Sequence, residues 1–196
     1  MDTVYDTGVL SRYQVPRHRL TRRDYYRLAE AGILGEDDRV ELLEGQLVDM
    51  SPIGPRHSLA IDTLNELLVM AFAGRASVRV QNPITLDDSS EPQPDFTLVR
   101  RPWRGYPDAH PGPGDVLLLV EVADSSIDFD RGAKLELYAR AGIREFWIVD
   151  LTTDGVLVHR DPDGRHYASV TRVEPSGVLE VAALAGTRIS AAPLFQ

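Results

Sequence analysis

The chain has 196 residues, 43% hydrophobic and 26% charged, with 21 cationic against 30 acidic residues and a net charge of −9. Such composition is globular and long enough for one real core, and the acidic balance argues against holding nucleic acid by bulk electrostatics alone. The absence of cysteine excludes disulfides and thiolate metal sites, while no apolar run can cross a bilayer and residues 1–30 are too polar for a signal peptide, so a soluble cytoplasmic protein is expected.

Residues 1–20 show no period and read as an extended arm, leaving residues 21–196 as a single domain. Thr21 with Asp24 three residues on predicts an N-capped helix ending at Gly32. VELLEGQLVD then predicts a hairpin turning at Glu44-Gly45, with Glu41 opposite Val48 and Leu43 opposite Gln46. A helix follows over residues 56–73, with an apolar set of Leu59, Ile61, Leu64, Leu67, Leu68, Met70 and Ala71, and with His57 in its first turn. Strands are expected at SVRVQ and DFTLV, and a loop at RRPWRGYPDAHPGPG, which holds four prolines and three glycines. LLLVEVA predicts a buried strand, residues 129–141 a helix, and REFWIVD a second strand parallel to the first. The tail reads as short antiparallel strands. The order is that of an α/β (α+β) fold with a mixed sheet flanked by helices.

Two of these strands contain a carboxylate that ought not to be there. Asp95 and Glu121 each interrupt hydrophobic sequence, and buried carboxylates on neighbouring strands repel unless a cation lies between them. Mg²⁺ or Mn²⁺ resolves the conflict, because a hard divalent ion is usually held by one or two carboxylates plus water and substrate phosphate. The Val122 carbonyl and Glu41 are further candidate ligands. Of the 21 cationic residues, 20 are arginine and the single lysine is Lys134. Lysine, unlike arginine, can have its pKa moved by burial. Lys134 is therefore a candidate to orient or deprotonate a water and to steady phosphate charge.

Pro94-Asp95, Glu121 and a following lysine resemble the signature of the PD-(D/E)xK phosphodiesterases, the restriction-endonuclease-like superfamily. VELLEGQLVDMSP, the His57 helix, PQPDFTLV, LLLVEVADSS and KLELYARAGIREFWIVD resemble its Uma-type branch of bacterial endonuclease-like proteins, over about residues 20 to 160. That resemblance implies a metal-dependent nuclease acting on nucleic acid, DNA before RNA. It implies catalytic roles for Glu41, Asp95, Glu121 and Lys134, metal ligation by Asp95 and Glu121, and a substrate or supporting contact by His57. The fold's usual pairing implies a homodimer. One departure stands out: the generic motif places lysine two residues after Glu121, where this chain has Ala123.

The residues leave other readings open. Glu121 could pair with Arg131 or Arg144, Lys134 with Glu136 or Asp130, and Asp95 could cap a turn. Ser125, Ser126, Asp128 and Asp130 read as helix caps, and Tyr138 and Trp147 as core. Arginines at 12, 17, 19, 22, 23 and 27, and at 100, 101 and 104, read as solvated surface. Neither a Gly-x-Ser-x-Gly elbow nor a phosphate-binding glycine loop is present, which disfavours serine hydrolysis and nucleotide binding. The alternative from another class is a non-catalytic binding module on a lapsed nuclease fold.

Overall fold

The computed structural model describes residues 16–35, 37–101 and 109–196. The expected arm therefore falls largely outside the described residues, as do Arg12 and Arg104.

Helix α1, Arg22–Glu30, opens on the capping box anticipated from Thr21 and Asp24: the Thr21 hydroxyl accepts from the Asp24 N–H at 3.2 Å, and Asp24 accepts from the Thr21 N–H at 3.0 Å. Strands β1, Val40–Leu43, and β2, Gln46–Asp49, form the hairpin in the expected register, with Glu41 opposite Val48. Glu44 and Gly45 both have positive φ, 49° and 76°, the pattern of a type I′ turn. A side chain at residue 45 would also collide with Arg19, whose Cβ lies 2.5 Å from the position a Cβ would take. Chain entry and hairpin are thus locked together, and the Leu20 N–H donates to the Gly45 carbonyl at 2.9 Å.

Helix α2 spans Pro55–Phe72 and buries Ala60, Leu64, Leu68 and Phe72, a single i, i+4 stripe. The wider apolar set expected here is not all inside, since Leu59 and Met70 are exposed. The stripe that meets the sheet is fully covered, Ile61, Leu67 and Ala71 pack against it part-buried, and Leu59 and Met70 point to solvent.

Six strands make the central sheet, in the order β3-β4-β5-β6-β7-β8. They are β3 Ser77–Val80, β4 Phe96–Val99, β5 Val116–Ala123, β6 Glu145–Asp150, β7 Gly155–Pro162 and β8 Tyr167–Val173. Only β5 and β6 pair in parallel, as the strand-helix-strand reading required; the other neighbours are antiparallel. A small two-stranded sheet, β9 Val178–Glu180 with β10 Arg188–Ser190, closes the tail.

Strand β5 is buried along its whole length because both faces are covered. Val120 and Val122 enter one core with the α2 stripe; Leu119 and Ala123 enter another with Tyr138, Phe146 and Ile148. The crossover expected as one helix is three pieces: α3, Ile127–Phe129; a π turn, Asp130–Lys134; and α4, Leu135–Arg140. No helix among the described residues is long and apolar enough to cross a membrane.

Candidate active site

The site forms where β4 and β5 meet between the two helical layers. Phe96 pairs with Val120, and the next antiparallel step brings Asp95 beside Glu121. Asp95 Oδ2 accepts from the Val122 N–H at 2.8 Å and lies 3.2 Å from His57 Nε2 on the first turn of α2. Its Oδ1 accepts from Gln81 Nε2 at 3.3 Å. Strand alternation turns Glu121 away from the core that Val120 and Val122 enter, toward the crossover. There Glu121 Oε1 accepts from Tyr138 Oη at 2.6 Å and from Lys134 Nζ at 3.0 Å. Lys134 Nζ is also 3.3 Å from Glu41 Oε1, which the hairpin delivers, while Glu41 Oε2 accepts from the Gln93 N–H at 3.1 Å. Asp130, one turn before Lys134, is buried and accepts from the Ser126 hydroxyl at 2.6 Å. All of these polar side chains except Tyr138, which supports Glu121 from behind in the core, line one cleft of about 100 Å³.

Buried carboxylate outweighs buried cation here: Glu41, Asp95, Glu121 and Asp130 face one ammonium and one imidazole, while Asp49 and Arg39 stand at the exposed edge. Burial, opposed by Lys134 and reinforced by Asp130, Asp95 and Glu41, pushes Glu121 up to about 8. Burial likewise raises Asp130. For Lys134 burial pulls downward, but Glu121, Glu41 and Asp130 together overcome it and hold the ammonium above the ordinary lysine value. His57 is raised, first by its hydrogen bond to Asp95.

The five residues singled out from sequence, Glu41, His57, Asp95, Glu121 and Lys134, thus lie around one cleft. Glu121 is 4% exposed and Lys134 7%, so the cation beside Glu121 is the lysine rather than an arginine. Arg131 pairs instead with Asp150, Arg144 is exposed, and Glu136 pairs with Arg165. Two expectations need correcting. Ser126 makes no side-chain cap bond, and Asp130 turns inward as a cleft residue. Tyr138 is core by its ring but puts its hydroxyl on Glu121. Gln81 and Gln93 were not anticipated: a lone glutamine carries no periodic or motif signal, and only the fold brings these two beside the acids.

Among the described residues no group of three or more acidic or histidine side chains has metal-holding geometry. A hard divalent ion needs only one or two carboxylates, however, and the excess of buried carboxylate fits such an ion at Asp95 and Glu121.

The family model described as "Uma2: Putative restriction endonuclease" matches residues 22–192. The chain belongs to the Uma2 family. Among solved structures, the Uma2 chain is similar to a putative nuclease belonging to DUF820 from Anabaena variabilis ATCC 29413. The identity is 16% and the TM-score 0.68, over 90% of this chain and 97% of that one. That likeness gives the restriction-endonuclease-like fold. A type IIG restriction endonuclease, BpuSI, is matched at 16% identity and TM-score 0.42, over 74% of this chain and 17% of that one, too weakly to argue from. No curated protein matches. Membership of Uma2 supports a nuclease at the level of the family.

Proposed function

We propose that this Uma2 chain is a divalent-metal-dependent endonuclease that hydrolyses phosphodiester bonds of DNA. One observation carries the reading: Asp95 and Glu121 share a cleft whose four buried carboxylates face Lys134 and His57, with Asp49 and Arg39 at its exposed edge. When bound, Mg²⁺ or Mn²⁺ would neutralise Asp95 and Glu121 and polarise the scissile phosphate. The Val122 N–H, Gln81 and His57 fix the Asp95 carboxylate, so that it is presented without a rotamer search. Tyr138 does the same for Glu121. Lys134 supplies charge: with its proton held by Glu121, Glu41 and Asp130, it donates toward water and developing phosphate charge and is a poor base. Glu41 anchors that ammonium from the hairpin side. A homodimer is part of the proposal and is read by light scattering.

Calorimetric titration with Mn²⁺ tests this, alongside cleavage of single-stranded and duplex DNA. Wild type is expected to bind Mn²⁺ and cut. Asp95→Ala and Glu121→Ala are expected to lose the binding, with cleavage down about a hundred-fold or more. A folded wild type that neither binds Mn²⁺ nor cuts would transfer the case to the non-catalytic module.

A further inference from the structure

The cleft has an uneven boundary. Its interior is carboxylate, Arg39 stands at its edge, and Met50, Ile53 and Phe129 form its lip. Ile53 is 43% exposed and Phe129 37%. Single exposed apolar side chains need no explanation. These two open onto the same small acidic cleft, from different elements. Phe129 ends α3 and Ile53 lies in the approach to α2, so no single helix face accounts for the pair.

A phosphate brought to Asp95, Glu121 and Lys134 enters this open cleft, whose rim carries Phe129 and Ile53. The sugar and base next to that phosphate then pass over the lip. Lys134 Nζ is 5.9 Å from the centroid of the Phe129 ring. A base against that ring would carry its own phosphate toward the ammonium and carboxylates. Arg39 is exposed, and its side chain makes a long 3.5 Å hydrogen bond from Nη1 to the Ser51 carbonyl. It is available to a neighbouring phosphate. Duplex bases keep their flat faces stacked inside, whereas an unpaired base offers a face to an aromatic ring.

We infer that the lip of Phe129 and Ile53 is a platform for an unpaired nucleobase, and that the substrate is single-stranded or locally unpaired nucleic acid. The inference rests on the nuclease reading above. Aromatic stacking of one base changes affinity about five- to 150-fold.

The test is fluorescence anisotropy with labelled single-stranded and duplex oligonucleotides of one sequence, with Ca²⁺ in place of the cleaving metal. Wild type, Phe129→Ala, Phe129→Trp and Ile53→Ser are compared, each also titrated with Mn²⁺ to verify its metal site. Wild type should prefer the single strand. Phe129→Ala should lose at least five-fold on the single strand and little on duplex, and Phe129→Trp should restore it. Unchanged single-strand binding in Phe129→Ala with its Mn²⁺ site intact would overturn the platform while leaving the nuclease reading standing. So would a wild-type preference for duplex. A wild type that binds Mn²⁺ but neither oligonucleotide would overturn both.

Discussion

Replacing Lys134 with methionine keeps an unbranched stem of similar bulk and deletes only the ammonium. That ammonium is 3.0 Å from Glu121 and 3.3 Å from Glu41, in a place where all three groups are buried. Removing one partner of a buried ion pair leaves an uncompensated charge, at about 3–5 kcal/mol. Some of this is relieved, because burial already favours the neutral form of Glu121, and without the ammonium its carboxyl can take a proton. The expected loss at pH 7 is therefore about 2–3 kcal/mol, at or just below the lower end of that range. Glu121→Gln removes the charge most exposed to the loss, so the double variant should recover part of it, with a coupling of about 1–3 kcal/mol. Urea unfolding of wild type, both single variants and the double variant, in chelator and followed by circular dichroism, measures the cycle. Single effects that add to the double within about 0.5 kcal/mol would refute the reasoning.

Three further outcomes are expected. Gly45→Ala should cost about 2 kcal/mol in urea unfolding, since it combines a φ of 76° with a collision against Arg19; a neutral result would mean that residues 19 and 20 do not pack on the hairpin. Leu64→Ala, at a fully buried position of the α2 stripe, should cost about 2–5 kcal/mol by the same assay. His159, buried beside Phe146 with ring centroids 5.6 Å apart, has its pKa lowered from 6.5 by burial. Its neutral form is the one the fold favours, so its contribution is present above pH 6.5 and lost as pH falls from there through the lowered value. His159→Phe should unfold with a flatter pH profile between pH 7 and 5, and parallel profiles would contradict it.

The fold was legible where its signals are local. The Glu44-Gly45 turn fixed the hairpin register through backbone chemistry alone, and Thr21 with Asp24 marked the start of α1. Glu121 announced itself as a charge inside an apolar run, and Lys134 as the one lysine among arginines. Less was readable where partners are remote in sequence. The width of the α2 stripe depends on which residues meet the sheet, so Leu59 and Met70 were misjudged. Asp130 looked like a cap because short acids before helices usually are. The π turn that sends it inward is set by packing, and no residue in DRGAK signals it. The Tyr138 hydroxyl was hidden for the same reason: a tyrosine at helical spacing reads as a ring.

The π turn divides the crossover into two angular frames. Within it the Leu135 N–H reaches back five residues to the Asp130 carbonyl, so the wide turn holds one residue more than an α-helix would. Phe129 and Asp130 lie at or before its start; Lys134 and Tyr138 lie at or beyond its end. Taking out one residue between them would restore an ordinary helix and rotate the first pair by about 100° relative to the second. The fold could survive that excision, yet the lip and Asp130 would no longer share a direction with the lysine. Spacing between positions 130 and 134 is therefore itself a functional parameter: single-residue deletions there should act like substitutions at several site residues at once.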